Sequence, residues 1–376
     1  MNDLSAPLST VFRGAPRRLR ATVFLSLAAV LAFGAAGAAR AASVGGLYTA
    51  STPVQNQSAA IRDQAFSRDL AAVFVKVSGN PDAAQVAALS QVLQNPGKLI
   101  VEYRYRKAPA SAGGGLELRA RFDPKAVDEA LAGAGQAIWG RDRPTVIAWV
   151  LTPSGILSDD PGSPVAVAMR QDAKARGLPF VLPLMDLTDR QKVSAFDIRT
   201  RFLSALRSAS KRYDAQAFLI GNVTYTDGGV DSRWTLAFGN SKAPFELTAA
   251  SPQAAASKGV GRAATLLAQQ LAYQPGSGAS GALLLVVDGI GSLRDEVKVE
   301  RIAAGVQGVS GVSLAGVSGH TVRYRVDYSG VPADFGRALA LSGSLSQAAR
   351  PVLASPGSSA AAPVSNLPEL RFHYGP

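Results

Sequence analysis

The stretch from Thr145 to Leu151, TVIAWVL, is the feature of this sequence that most restricts its fold. An unbroken run of apolar and β-branched residues, without polar alternation, is typical of a strand that is covered on both faces. The run ends at Thr152-Pro153-Ser154-Gly155, and ligands of α/β proteins bind where such strands end. We therefore predict a central strand, and we take Thr152 and Ser154 as candidates for a binding surface at its end.

Residues 141–273 read as a central mixed α/β unit built around this strand. Ser163-Pro164 predicts the start of a helix that reaches Arg176-Gly177, and LPFVLPLMD predicts a second apolar strand. AQAFLIGNVTYT and RWTLAFGN, joined by the turn Asp227-Gly228-Gly229, predict a hairpin. An alanine-rich helix over about Gln253 to Leu271 completes the unit.

A further helix of this unit is predicted by apolar residues at helical spacing between Ile198 and Tyr213. The face opposite these residues is basic. Two interpretations stay open, contact with an anionic lipid or polymer and an ordinary solvated helix face. The cations taken as binding-surface candidates are Arg199, Arg207, Lys211 and Arg212.

Residues 42–140 predict a first unit of the α+β class. Apolar residues recur at helical spacing from Ile61 to Val77, and a shorter helix contains Val86, Leu89 and Leu93. LIVEYRYR and GLELRARFD alternate between apolar and charged residues, which predicts an antiparallel pair with one charged, solvated face. A last helix begins after the capping residue Asp123, with Pro124 in its first turn.

Residues 274–281, QPGSGASG, predict a flexible linker. Residues 282–350 follow the order strand, helix, strand, strand, helix, which predicts a small ferredoxin-like βαββα unit. Residues 351–376 contain a disordered spacer and an apolar tail, LPELRFHYGP, which is a candidate for an extra strand. The fold class predicted for the chain is therefore α+β and mixed α/β, in several units.

Residues 1–41 have the order of a secretory signal peptide, with arginines before an uncharged apolar run and the small-x-small pattern Ala39-Arg40-Ala41. We expect cleavage after Ala41 and a periplasmic location without a transmembrane span. The alternative is an uncleaved N-terminal anchor in the inner membrane, because the run from Ala21 to Ala39 is about long enough to span a bilayer.

The full chain carries a net charge of +12, and removing residues 1–41 leaves 34 basic and 26 acidic residues, a net charge of +8. For an exported basic protein we expect anionic envelope components rather than nucleic acid as partners. The alternative is that this charge only keeps the protein soluble. The chain has no cysteine, which excludes disulfides, thiolate metal sites and a lipidated N-terminal cysteine.

Few residues suggest catalysis. The two histidines, His320 and His373, stand apart in the sequence, whereas catalytic triads and histidine metal sites need such residues within reach of their partners. The turn after LLLVVDG has only part of a dinucleotide-binding pattern. We therefore predict no cofactor, no metal and no catalytic residue. A weaker alternative uses carboxylates that follow strand ends, Asp159, Asp160 and Asp186, as an acid/base pair.

Several segments carry a family resemblance: AAVFVKVSGNP, WGRDRPTVIAWVL, YDAQAFLIGNVTY with RWTL, LLLVVDGI and GRALALSGSL. Together they resemble the exported bacterial proteins grouped as domain of unknown function 2066, which implies an envelope protein and names no active residues. The middle unit alone is similar to periplasmic α/β domains such as the TolB N-terminal domain and the lipoproteins that activate cell-wall synthases. The sequence has no cysteine to carry the lipid of those lipoproteins.

The sequence favours a non-catalytic periplasmic adaptor or binding module whose partner is an envelope protein or a cell-wall or lipid polymer. The first alternative is an exported hydrolase that uses the three aspartates of the central unit. The second alternative is a basic protein associated with a membrane surface.

Overall fold

A computed structural model of the chain describes residues 42–108, 115–275, 281–340, 342, 344–348 and 367–375. The predicted signal peptide, most of the linker 274–281 and most of the spacer that follows residue 350 lie outside the described residues. Within the described ranges, no helix is long and apolar enough to cross a membrane.

The first unit contains a three-stranded antiparallel sheet with helices packed on one face. Two of its strands form the predicted pair, and the third was not predicted because its sequence, TASTPV, is largely polar and contains a proline. In chain order the elements are β1 (Ala42–Ser43), β2 (Thr49–Val54), α1 (Ala59–Ser78), α2 (Ala87–Val92), β3 (Ile100–Lys107), β4 (Leu116–Phe122) and α3 (Pro124–Gly133).

The sheet order β2-β4-β3 places β4 in the middle. Its inward residues Leu118, Ala120 and Phe122 are buried against α1, while the alternate residues face outward. The predicted cap at Asp123 is confirmed, since its carboxylate accepts hydrogen bonds from the backbone N–H groups of Lys125 and Ala126 at 2.8 and 3.2 Å.

The central unit has a mixed sheet with helices on both faces, as predicted. In chain order its elements are β5 (Asp142–Arg143), β6 (Val146–Thr152), β7 (Gly155–Ile156), α4 (Pro164–Ala175), β8 (Phe180–Val181), α5 (Leu187–Lys192), α6 (Ala195–Thr200), α7 (Leu203–Ser210), β9 (Ala217–Thr226), β10 (Gly229–Phe238), β11 (Ser241–Ala249) and α8 (Pro252–Leu271).

The prediction of a strand covered on both faces is confirmed for β6. Val146, Ala148 and Val150 pack with α4 and α8, whereas Ile147 and Trp149 pack with the layer of α5, α6 and α7. The strand order is β11-β10-β9-β6-β7, with β8 also paired to β6. Two helical layers therefore enclose the apolar run that the sequence placed at the centre.

Several elements of this unit differ from the sequence prediction, and β7, α5 and β11 were not predicted at all. The stretch LPFVLPLMD forms only the short strand β8, and the predicted helix between Ile198 and Tyr213 is divided into α6, α7 and a 3₁₀ turn over Lys211–Tyr213. The division falls at Arg201, which has a left-handed backbone with φ of 56°. Apolar spacing alone could not reveal this break, because the residues on both sides of it keep helical spacing.

The third unit has the predicted strand and helix order and two additional strands. The C-terminal tail forms β16, which pairs in parallel with β12 and buries Phe372 in the core. The sheet order is β13-β14-β12-β16-β15. The elements are β12 (Gly281–Asp288), α9 (Leu293–Ala304), β13 (Val309–Ser318), β14 (Thr321–Tyr328), α10 (Pro332–Ala340), β15 (Leu345–Gln347) and β16 (Glu369–Tyr374).

Candidate functional site

A groove of about 1000 Å³ lies between the first sheet and the C-terminal part of α4 with the loop that follows it. One wall consists of residues from β2, α1, β3 and β4. The other wall consists of residues from α4 and the segment Gly177–Phe180. Apolar side chains, among them Leu47, Leu178 and Phe180, alternate with charged ones along the walls. We call this feature the basic groove.

The charge of the basic groove is strongly positive. Its single carboxylate, Glu117, accepts a hydrogen bond from Arg106 Nε at 2.7 Å. Among the described residues, Arg119 and Lys174 have no side-chain hydrogen bond or ion pair, so both positive charges are available to a ligand. The cationic side chains that line the groove are Lys76, Arg106, Arg119, Arg170 and Lys174.

Lys76 is the half-buried cation of the groove. Its Nζ donates to the carbonyl oxygen of Thr49 at 2.6 Å. The pKa of Lys76 is lowered to about 8, mainly by burial and also by the cations Arg143, Lys174 and Arg119, while Asp69 opposes the shift. Lys76 is therefore mostly protonated at neutral pH and loses its charge just above it, and an anion placed beside it would favour its charged form.

Asp69 is the carboxylate whose charge raises the pKa of Lys76, and it is almost fully buried. One of its oxygens accepts from Thr52 Oγ1 at 2.7 Å, while Oδ2 has no hydrogen-bond partner. Burial raises the pKa of Asp69 to about 6. Asp69 is therefore mostly ionised at neutral pH and offsets Lys76, so the excess positive charge of the groove comes from its other cations, Arg119 and Lys174 among them.

Arg143 holds the two walls of the groove together. Its guanidinium is fully buried and donates to five carbonyl oxygens at 2.8 to 3.0 Å. The guanidinium also stacks 3.9 Å from the ring centroid of Trp139. The acceptors belong to the end of α1, to the segment that joins the two units and to the end of α4, and they are the carbonyls of Lys76, Trp139, Gly140, Arg176 and Gly177.

A second cleft, of about 480 Å³, lies where the first, central and third units meet. Both oxygens of Asp128 accept hydrogen bonds there, from Tyr48 Oη at 2.8 Å and from Gln307 Nε2 at 3.2 Å. Burial raises the pKa of Asp128 and that of the neighbouring Asp142. This cleft is acidic, in contrast to the basic groove. No group of three or more histidine, cysteine, aspartate or glutamate side chains in the described part of the chain could hold a metal ion.

The three predicted aspartates each have a separate structural partner, and none lines either cleft. Asp159 forms an ion pair with Arg170, and Asp160 accepts from the backbone N–H of Gly162 at 2.8 Å. Asp186 caps α5 and accepts two bonds of 2.8 Å from Arg212. The hydrogen bonds from Arg212 lower the pKa of Asp186 to about 2. A carboxylate in this state is ionised and paired, which does not suit a general acid.

The predicted strand end after β6 closes a tight turn. Thr152 Oγ1 donates to the carbonyl of Gly155 at 2.9 Å and accepts from the N–H of Ser154 at 3.3 Å. The two clefts described above are lined by other residues. The hydroxyl of Thr152 therefore serves the turn between β6 and β7, and Ser154 is exposed beside it.

The predicted basic helix face is divided among three elements. Arg199 lies on α6 and is exposed, whereas Arg207 on α7 donates to the carbonyl of Gly239 at 2.8 Å. Lys211 and Arg212 lie in the 3₁₀ turn, where Arg212 is held by Asp186. A single basic face from Arg199 to Arg212 was therefore a wrong prediction, because the chain turns at Arg201.

The sequence did not identify the basic groove. The alternating arginines of β3 and β4 indicated a charged sheet face, and this was the one available signal for Arg106 and Arg119. Nothing in the sequence placed Lys174 beside them, because Lys174 lies in the central unit whereas β3 and β4 lie in the first unit. Lys76 could not be identified either, because it lies on a helix whose pattern indicates only packing.

Comparison with known proteins identifies one family over part of the chain. The model of a domain of unknown function, DUF8605, matches residues 41–140, and no curated protein matches the chain. A solved structure that matches is the crystal structure of the competence-damaged protein (CinA) superfamily protein from Enterobacter cloacae, at 13% identity. The match covers 39% of this chain and 88% of that chain, with a TM-score of 0.22.

These matches correct the resemblance drawn from the sequence. The family model that matches residues 41–140 is that of DUF8605, so the assignment to domain of unknown function 2066 was wrong. The short segments that suggested the latter are mainly a helix end and apolar strands such as β6 and β12, and apolar residues placed for packing do not by themselves identify a family. Neither match names a TolB-like domain. The residues that match the DUF8605 model make up the first unit, which supplies one wall of the basic groove.

Proposed function

We propose that this protein is an exported, non-catalytic binding protein of the cell envelope that holds an anionic polymer in the basic groove. The observation that carries the proposal is the pair of unpaired cations, Arg119 and Lys174, on opposite walls of a groove that also contains Lys76. Charged side chains without partners, facing each other across an open groove, suit a ligand with several negative charges. The apolar residues between them suit the uncharged parts of such a chain.

The proposed location is the periplasm, and it is supported by the arrangement of residues 1–41. The proposed partner is an envelope polymer that bears phosphate or carboxylate groups. A protein partner with an acidic segment is the other candidate, and the choice of probe separates the two. Phosphorylated lipopolysaccharide oligosaccharide represents the polymer, and a polyglutamate peptide represents the acidic segment.

Replacing both unpaired cations, in the variant R119Q/K174Q, is expected to weaken binding of the labelled oligosaccharide roughly 10-fold or more, because two charge-assisted hydrogen bonds are lost. Fluorescence anisotropy titration at low and moderate salt measures the change. The affinity of the wild-type protein should also fall as salt rises, since ions screen these exposed charges.

The control is K98Q/K242Q, which removes the same charge from two exposed lysines outside the groove. Equal losses in the two double variants would show that only net charge matters, and the groove would not be the site. Tighter binding of polyglutamate than of the oligosaccharide would assign the groove to an acidic protein segment.

The affinity for the anionic probe is expected to fall several-fold between pH 7 and pH 9. The pKa of Lys76 is lowered to about 8, so the side chain carries a charge below that pH and loses it above. Anisotropy titrations across this range measure the effect. In K76R the pH dependence should be absent, because an arginine stays protonated throughout. A K76R protein that keeps the wild-type pH profile would exclude Lys76 as the cause.

A further inference from the structure

The outer side of the α5–α7 layer exposes large apolar side chains. Leu184 is 54% exposed, Leu187 72%, Phe196 68% and Phe202 55%. They lie within one continuous segment of the chain, while the inward residues of the same segment, such as Ile198, are buried against the central sheet. A folded protein rarely leaves several large apolar side chains of one region in water unless they have a partner.

The same segment presents positive charge to the solvent. Arg190, Lys192, Arg199 and Arg201 are exposed, and none of the four has a hydrogen bond or ion pair with any described residue. These cations lie between the apolar residues in the sequence. We call the eight residues together the apolar-basic surface, and none of them lines the basic groove or the second cleft.

The carboxylates of this segment are bound within the protein. Asp186 is paired with Arg212, and Asp189 is fully buried, where it accepts from Met185 N at 3.0 Å and from Tyr213 Oη. Asp197 accepts from the N–H and the hydroxyl of Ser194 at 2.8 and 2.6 Å. These hydrogen bonds lower the pKa of Asp197, so it stays ionised near the surface. The charges of the segment that have no ion-pair partner at the surface are therefore four cations and one carboxylate, and positive charge predominates.

Local backbone structure sets the orientation of the exposed residues. Ser194 and Asp197 form a reciprocal capping box, which defines the start of α6 and thereby the position of Phe196. The left-handed residue Arg201 ends α6 and turns the chain, so that Phe202 lies at the start of α7. Leu187 and Phe196 lie on short helices, Phe202 is the residue before α7, and Leu184 lies in the segment before α5.

We infer that the apolar-basic surface binds an anionic lipid membrane, with Phe196 and Phe202 inserted at the level of the head groups. Interfacial binding requires exposed aromatic or aliphatic residues together with cations that contact anionic lipids. The surface meets both requirements. This inference goes beyond the proposed function, because it uses residues outside the groove and adds a lipid surface as a second partner.

The variant F196W tests insertion directly. The three tryptophans of the chain, Trp139, Trp149 and Trp234, are at most 1% exposed, so a change in emission on adding vesicles reports the introduced side chain. We expect a blue shift with vesicles of phosphatidylglycerol and phosphatidylcholine and none with pure phosphatidylcholine. An unchanged emission with the anionic vesicles would overturn the inference. This signal reports residue 196 whatever other part of the chain contacts the membrane.

Vesicle flotation measures the strength of binding. The variant F196S/F202S should partition roughly 10- to 30-fold less strongly, because two partly exposed phenylalanines no longer transfer into the interface. The control L293S/L314S changes two other exposed leucines, 74% and 54% exposed, and should partition like the wild-type protein. Thermal unfolding of each variant confirms that its fold is intact.

Charge and groove variants complete the test. R199Q/R201Q should reduce flotation with anionic vesicles, and K98Q/K242Q should not. R119Q/K174Q should float normally even if it no longer binds the oligosaccharide, which separates this inference from the proposed function. Normal flotation of F196S/F202S would overturn the inference. It would also be overturned if the wild-type protein did not bind vesicles and instead bound a protein partner in a manner that depends on Phe196.

Discussion

The substitution Arg143→Met is expected to destabilise the fold by roughly 3 kcal/mol, because five carbonyl oxygens lose a buried donor and each unpartnered acceptor costs about 1–3 kcal/mol. Removing the buried charge offsets part of this loss. Burial lowers the pKa of Arg143, which shows that its charge is held at some cost. Methionine keeps a stem of similar length and leaves the packing against Trp139 largely in place.

Urea unfolding followed by far-UV circular dichroism measures the loss for R143M. The control is R199M, since Arg199 is exposed and has no partner among the described residues; its free energy of unfolding should change by less than about 0.5 kcal/mol. A loss below about 1 kcal/mol in R143M would show that water replaces the guanidinium at this joint. Because the acceptors include both walls of the basic groove, R143M should also weaken binding of the anionic probe.

The substitution Gly79→Ala is expected to destabilise the fold by about 3 kcal/mol, from two separate causes. Gly79 has φ of 71°, where a side chain costs about 1 kcal/mol. Its added Cβ would also lie 2.1 Å from the Cβ of Ala268 on α8, so that the end of α1 and α8 must move apart. Differential scanning fluorimetry and urea unfolding measure the effect.

Gly46→Ala separates the two causes. Gly46 has nearly the same backbone, with φ of 72°, but no atom lies within 4 Å of its added Cβ. Its loss should be limited to about 1 kcal/mol, the cost of the left-handed backbone. Similar losses in G79A and G46A would show that α1 and α8 separate easily, and that the joint between the first and central units is looser than the close approach of Gly79 and Ala268 indicates.

Local patterns predicted the elements whose character is set by a few neighbouring residues. The helix after Asp123 was predicted from its cap and proline, and β6 was predicted from an apolar run that leaves no solvated face. β2 was not predicted, because TASTPV becomes a strand only through its pairing with β4. β11 was not predicted either. It lies at the edge of the sheet, where exposed and half-buried residues alternate, and such a pattern is only a weak sequence signal for a strand.

The candidate site could not be predicted from sequence patterns, for a different reason. A cation is available to a ligand only if no carboxylate in the folded chain pairs with it, and pairing depends on contacts between distant segments. Arg212, which the sequence offered for binding, is held by Asp186, whereas Arg119 and Lys174 are left without partners. The aspartates proposed for catalysis were likewise assigned to caps, turns and ion pairs by the fold.

The sequence by itself determined the mixed α and β character of this protein, the burial of its central strand and the places where several helices begin, because these depend on periodicity and capping over short distances. Only the tertiary structure decided which charges face a ligand, since the basic groove exists where Arg143 joins the end of α1 to the end of α4. The same holds for the apolar-basic surface, because a break at Arg201, invisible in the apolar spacing, leaves Phe196 and Phe202 exposed.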